Sequence, residues 1–132
     1  MDSHEQEVSN WSMLCHLSAL LGLIIPFTNL LGPFIVWQIK KNEFPEIDLH
    51  AKESLNFQIT FILINIVFLF FLFRNIGYSS MIGSSFLMFT WGTGLALLFS
   101  LVRVTCWILV VIAGIKANNG ELFHYPSIKF IR

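Results

Sequence analysis

Charged residues are scarce in this chain of 132 residues: they make up 12% of the sequence, where an ordinary soluble domain has about 25%. Hydrophobic residues reach 55%, fourteen residues are Phe, and the mean hydropathy is +0.71. A small domain buries only about 60–70% of the surface that its unfolded chain exposes, so it could not hide this much apolar surface from water. We therefore predict an integral membrane protein whose apolar surfaces face lipid.

Other deficits exclude further classes of protein. Eight basic residues balance eight acidic ones, so no nucleic-acid partner is indicated. Cys15 and Cys106 both lie within apolar stretches, which favours small buried side chains over a disulfide framework. The first ten residues are acidic, whereas a secretory signal begins with a basic segment. The first apolar stretch is therefore expected to stay in the protein.

Catalytic signatures are also missing. The sequence has no glycine-rich phosphate loop, no nucleophile elbow and no paired-carboxylate arrangement. His16 stands alone among Leu and Ala, which favours a buried, hydrogen-bonded histidine over a metal ligand. His50 and Glu53 lie three residues apart, but no third or fourth ligand accompanies them. We expect no enzymatic activity, no metal site and no cofactor.

The apolar residues are grouped in four segments, at 11–25, 30–39, 55–73 and 84–115. The first two are shorter than the roughly 20 residues that cross about 30 Å of hydrocarbon. Pro26 and Pro33 are expected to break any continuous helix between them. Residues 11–40 therefore form either a short helical hairpin that dips into the bilayer and returns, or one kinked span. The hairpin is the preferred alternative.

The predicted fold is an all-α membrane protein. It is a small helical bundle with two full transmembrane helices plus a broken N-terminal helical hairpin, four helices in all. It consists of an acidic N-terminal tail (1–10), a membrane-embedded helical domain (11–120) and a short cytoplasmic tail (121–132). We expect the third helix to begin near Pro45 with Asp48 as its N-cap, and the KANNG sequence at 116–120 to end the fourth.

The distribution of Lys and Arg predicts the orientation. Lys residues are concentrated between 40 and 52 and recur after residue 115, whereas Arg74 alone occupies the 74–84 loop. By the positive-inside rule, the 40–52 loop and the C-terminus lie in the cytoplasm.

Polar side chains cluster at the start of the third predicted helix. Four of them share an arc of about 120° on a helical wheel: His50, Glu53, Asn56 and Thr60. An adjacent stripe contains Ser54, Gln58 and Asn65. Interhelical hydrogen bonding is one explanation. The other is a hydrophilic groove for a translocating or lipid substrate.

Arg103 is the one cation inside the fourth apolar segment. An arginine at the centre of a membrane helix costs about 2.5–3.5 kcal/mol on insertion scales, so it is usually paired or faces a wet cavity. We expect Arg103 to point into the bundle near Asn65, with Ser100 one turn away. It would either snorkel or only join helices, or it would contact a substrate or lipid.

Three motifs, PFTNLLGPFIVWQIKK, HAKESLNFQIT and IKANNGELFHYP, occur in this order and span nearly the whole chain. By these motifs the chain resembles a bacterial family of small membrane proteins grouped with the Tic-twenty-like proteins of the chloroplast inner envelope. The plastid members are four-helix subunits of a protein-import translocon with both termini on the stromal side. The resemblance implies a multi-pass protein of the bacterial plasma membrane with both ends in the cytoplasm, which favours the hairpin.

The resemblance also implies three groups of functional positions. At the helix break these are Pro26, Asn29, Gly32 and Pro33; at the start of the third helix, His50, Lys52, Glu53, Asn56 and Gln58; and at the end of the fourth, Lys116, Asn119, Gly120 and Glu121.

Two functional hypotheses follow. The first is a non-enzymatic membrane component or helper in protein or lipid handling. Its partners would be membrane lipids and other membrane-protein subunits or further copies of the chain. The second is a small oligomeric transporter or channel, with Arg103 and the broken segment 26–33 along its path, because broken helices are typical of transport sites.

Overall fold

The computed structural model describes residues 2–23 and 28–131, and within these ranges all regular structure is helical. The α-helices are α1 (Ser3–Leu17), α2 (Thr28–Lys40), α3 (Glu46–Met81) and α4 (Ser85–Asn118), and a 3₁₀ segment (Ser18–Leu23) follows α1. This confirms the predicted fold class of two short helices followed by two long ones. Pro26, predicted to break a continuous helix over residues 11–40, lies outside the described residues.

Helices α3 and α4 could span a membrane, by their length and composition. They contain 36 and 34 residues, and their most apolar 18-residue windows have mean hydropathies of 2.2 and 2.5. Only 22% and 11% of these windows is buried, whereas a core helix of a soluble protein would be mostly buried. Among the described residues, these two helices are long and apolar enough to cross a bilayer.

Helix α3 begins near Pro45 as expected, but its N-cap and its end differ from the expected ones. The helix begins at Glu46, directly after Pro45, so Asp48 lies inside the first turn and is not the N-cap. Its carboxylate instead pairs with Lys52 one turn later at 2.6 Å. At the other end α3 continues past Arg74 to Met81, so the helix is longer than the apolar segment that predicted it.

The chain forms two compact units. The terminal unit contains Met1–Thr60 and Trp107–Arg132, and the hairpin unit contains Phe61–Cys106. The residues predicted as an acidic N-terminal tail are helical from Ser3, because Asp2 and Glu5 form a capping box at the start of α1.

Small residues allow close packing of the N-terminal helices in the terminal unit. A Cβ atom at Gly32 of α2 would lie 2.6 Å from the backbone oxygen of Ser18 in the 3₁₀ segment. A Cβ at Gly114 of α4 would lie 2.8 Å from a methyl group of Leu17. Helices α1 and α2 pack against each other, as the predicted hairpin requires.

The hairpin unit consists of the second part of α3, the turn at 82–84 and the first part of α4. Gly83 adopts φ +65° in that turn, a conformation that favours glycine. Phe68 and Phe99 stack at a ring-centroid distance of 4.2 Å within the unit.

Candidate functional site

The residues after α4 form an irregular tail, 121–131, that is bound by the polar stripe predicted at the start of α3. The side-chain oxygen of Asn56 accepts hydrogen bonds from the backbone N–H groups of Phe130 (2.9 Å) and Ile131 (2.7 Å). Its amide nitrogen donates to the backbone oxygen of Ile131 at 2.9 Å. One turn further along α3, the Thr60 hydroxyl accepts from the backbone N–H of Ile128 at 3.1 Å. The stripe therefore holds the tail through its backbone.

Glu53 adds a charged contact to the same tail. Its carboxylate accepts from the backbone N–H of Tyr125 at 3.2 Å and lies 3.1 Å from Nδ1 of His124. It also forms an ion pair with Lys129. The Glu53 side chain is 12% exposed, so the tail supplies the partners that a largely buried carboxylate needs.

Three buried side chains from three parts of the terminal unit form a hydrogen-bonded chain. Nε2 of His16 lies 3.2 Å from Nδ1 of His50, and Nδ1 of His16 lies 3.1 Å from the Tyr125 hydroxyl. The Tyr125 ring stacks on Phe57 with centroids 4.3 Å apart. Proton donation can run from Tyr125 to His16 to His50 or in the reverse direction, and in both arrangements the two imidazoles are neutral.

Burial explains why these three hydrogen-bonded side chains carry no charge. It is the main cause that lowers the pKa of His16 to about 3, and the neighbouring His50 lowers this pKa further while Glu53 opposes the shift. Burial likewise raises the pKa of Tyr125. His16 is completely buried, so the prediction of a buried, hydrogen-bonded histidine is confirmed.

The second predicted stripe joins α3 to the N-terminal hairpin. The Asn29 amide nitrogen of α2 donates to the side-chain oxygen of Gln58 at 3.2 Å. The Ser54 hydroxyl donates to the backbone oxygen of Cys15 at 3.4 Å. In this part of the molecule the explanation by interhelical hydrogen bonds is the correct one.

Pro33 does not break α2, contrary to the sequence-based expectation. It is buried inside the helix, at the sixth of thirteen residues. A proline this close to the N-terminus removes only the backbone hydrogen bond to the carbonyl of Asn29 in the first turn. Its own carbonyl oxygen lies 3.7 Å from the Cys15 sulfur, which places it against α1.

Three other candidate residues lie apart from the tail contact. Lys52 pairs with Asp48 at the start of α3. Asn65 donates to the backbone oxygen of Phe61 in its own helix at 2.7 Å. Arg103 is exposed, so the expectation that it points into the bundle is wrong. Its guanidinium lies 5.9 Å from the ring centroid of Phe99, one turn earlier on the same face of α4.

Sequence reasoning missed the tail residues that complete the site. His124, Tyr125 and Lys129 were assigned to a plain cytoplasmic tail, although they carry the donors that bind Glu53 and His16. One signal could have indicated these contacts: the stripe on α3 is rich in hydrogen-bond acceptors, and the apolar segments offer no matching donors. The end of α4 was predicted well: Gly120, the second residue after the helix, has φ +77°.

The site is a closed hydrogen-bonded contact between two parts of the same chain. Within residues 2–23 and 28–131, no group of three or more His, Cys, Asp or Glu side chains is placed to hold a metal ion. The polar groups of the site bind one another, and what they do is fix the tail on α3.

These features define a small helical membrane protein with a self-contained polar unit. Residues 7–131 match the magnetosome magnetite crystal formation protein family, MamF/MmsF, and the chain belongs to this family. No curated protein and no solved structure matches the chain.

The family match corrects the resemblance drawn from the sequence motifs. The chain is not assigned to a Tic-twenty-like family. The motifs include prolines, glycines and lysines of the kind that any short helical hairpin in a membrane needs at its turns and ends. They therefore identified the architecture correctly and the family wrongly.

Proposed function

We propose that this protein is a non-enzymatic component of a bacterial magnetosome membrane that acts in the formation of magnetite crystals. The observation that carries the proposal is the family match over residues 7–131. The two long apolar helices support the membrane location. The sequence predicted a helper in protein or lipid handling. In this proposal the protein helps to organise the membrane in which crystals form.

The contacts of the terminal unit support a structural part for the protein. Glu53, Asn56 and His16 are the groups that could act as acids, bases or binding groups, and each is bound by another part of the chain. A catalytic acid or base needs a free approach for its substrate within hydrogen-bonding distance. Groups that are buried and mutually bonded serve better to hold helices and tail in one arrangement.

The proposed topology places both termini in the cytoplasm. Two spans leave the segments before α3 and after α4 on the same side of the membrane, and the contact between His16 and Tyr125 agrees with this. The lysines at 40, 41 and 116 favour the cytoplasm for that side. The turn at 82–84 then faces the magnetosome interior.

The proposed partners are membrane lipids and other membrane proteins or further copies of this chain. The apolar side chains of α4 support this, because Leu97, Leu101 and Ile108 are more than half exposed on the single chain. In a membrane such surfaces contact either acyl chains or neighbouring helices.

Gene deletion in a magnetite-forming host tests the proposal. We expect the deletion strain to have an altered distribution of crystal length and shape in electron micrographs, and the full chain to restore it. An unchanged distribution would overturn the proposal. Iron uptake into liposomes that contain the purified protein distinguishes the transporter alternative: measurable flux above empty liposomes would favour transport.

A further inference from the structure

The hairpin unit contains a pocket of about 540 Å³ between α3 and α4. Phe71, Trp91 and Leu95 supply much of its apolar wall. Arg74, Asn75 and Ser79 supply its polar groups. None of these residues takes part in the tail contact described above, so the pocket is separate from the candidate site.

Two polar atoms of the pocket are buried without a partner. Ser79 is 2% exposed, and its hydroxyl forms no hydrogen bond within the described part of the chain. The side-chain oxygen of Asn75 is likewise buried and unbonded there. Buried polar groups in proteins are almost always hydrogen-bonded, and an unbonded one costs free energy. The Asn75 oxygen would gain from a ligand that carries a hydrogen-bond donor, and the Ser79 hydroxyl from one that carries an acceptor.

The pocket carries a positive charge, and the hairpin unit contains no acidic residue to balance it. Arg74 is exposed at the pocket, and residues 61–106 include no Asp or Glu. A guanidinium binds phosphate through paired, charge-assisted hydrogen bonds. The electrostatics of the pocket therefore favour a phosphate-bearing ligand.

The polar and apolar groups are ordered along the helices. Ser79 lies close to the end of α3 at Met81, whereas Phe71 lies eight residues earlier, about 12 Å deeper at 1.5 Å per residue. Trp91 stands in the second turn of α4, and tryptophan is typical of the level where head groups meet hydrocarbon. The pocket thus changes from polar to apolar in the direction in which a lipid molecule does.

We propose that this pocket binds one anionic phospholipid whose head group carries hydroxyl donors, as in phosphatidylglycerol. The phosphate lies at Arg74, a head-group hydroxyl donates to the Asn75 oxygen, and the Ser79 hydroxyl donates to the phosphate. An acyl chain runs along Phe71 and Leu95. A choline head group has no donor for Asn75, so phosphatidylcholine should bind more weakly.

Native mass spectrometry of the full chain in detergent tests this inference. The purified, delipidated protein is titrated separately with phosphatidylglycerol and with phosphatidylcholine of the same acyl chains. We expect a single phosphatidylglycerol to bind at least about tenfold more tightly than phosphatidylcholine, and Arg74→Gln to remove this preference. Equal retention of the two lipids, or an unchanged preference in Arg74→Gln, would overturn the proposal.

Ser79→Ala provides a second test with a signature that a purely structural residue would not give. Because the change removes a buried, unbonded hydroxyl, the lipid-free protein should melt at the same or a higher temperature, while phosphatidylglycerol binding weakens by several-fold. Ser80→Ala, at an exposed neighbour on α3, is the matched control and should change neither quantity. Weaker binding in both variants, or in neither, would contradict the assignment.

Competition with inorganic phosphate distinguishes the source of the phosphate group. Because the acyl chain contributes to binding, inorganic phosphate at a hundredfold excess should leave the lipid bound. Displacement of phosphatidylglycerol under these conditions would show a site for free phosphate and overturn the lipid assignment.

Discussion

The side chain of Asn56 and the backbone of Ile131 form a reciprocal pair of hydrogen bonds, one accepted by the side chain at 2.7 Å and one donated by it at 2.9 Å. The two residues are 75 positions apart in the sequence. An amide side chain that donates and accepts in this way imitates the pairing of a neighbouring backbone strand. The tail is thereby fixed near its far end, although it has no helix or strand of its own.

Asn56→Leu should release the end of the tail, because the change removes three hydrogen bonds while keeping the number of side-chain heavy atoms. Asn56 is 1% exposed, and we expect a loss of about 2–3 kcal/mol in the stability of the docked tail. Hydrogen–deuterium exchange at residues 126–131 would measure it. Asn65→Leu is the control, since Asn65 bonds only within its own helix, and faster tail exchange in that variant as well would contradict the prediction.

Glu53→Gln should make the tail contact weaker and less sensitive to salt. The change keeps the shape of the side chain but removes its charge, so the attraction to Lys129 is lost. We expect the wild-type tail to exchange faster as salt is raised and the variant tail to exchange faster at all salt concentrations. Glu43→Gln is the control because Glu43 pairs with Lys40 at an exposed position. Identical salt dependence in wild type and Glu53→Gln would exclude the ionic contribution.

Lowering the pH should destabilise the terminal unit through His16. Its pKa is 6.5 in an ordinary environment and about 3 in the folded protein, so between these values the unfolded chain binds a proton that the folded chain does not. The stabilisation is complete above pH 6.5 and is lost as the pH falls, at up to about 1.4 kcal/mol per pH unit. Thermal unfolding in detergent between pH 7.5 and 5 would measure the slope.

His16→Gln should flatten that pH dependence, even though it lowers the stability at neutral pH by removing the contacts to His50 and Tyr125. His4→Gln serves as the control, because His4 is exposed on α1 and should leave the slope unchanged. A slope that persists undiminished in His16→Gln would assign the pH dependence to another group.

Alanine at two glycines should have opposite effects on stability. At Gly32 the new Cβ would meet the backbone oxygen of Ser18 at 2.6 Å, and a backbone atom cannot move aside easily, so we expect a loss of about 1–3 kcal/mol. At Gly92 of α4 nothing lies within 4 Å of the new Cβ, and alanine is the better helix former by about 1 kcal/mol. Melting curves of both variants would check the signs, and equal shifts would contradict the close approach at Gly32.

The sequence was sufficient to predict those features whose controlling interactions are local or are set by the solvent. The length of an apolar run is matched to the thickness of hydrocarbon, so α3 and α4 could be predicted from hydropathy alone. Glycine has the conformational freedom to end a helix, so Gly120 correctly indicated the end of α4, and its φ in the structure is positive. The isolation of His16 among apolar neighbours correctly indicated burial.

The sequence by itself determined the medium, the helices and the residues that would need polar partners, because these depend on composition and on the 3.6-residue period of the helix. Only the tertiary structure decided which partners those residues have. Glu53 and Tyr125 are 72 positions apart, and their contact exists because α4 returns the chain to the start of α3. Arg103 depends on packing in the same way, because the sequence does not tell which face of α4 meets other helices, and its exposure is seen only in the tertiary structure.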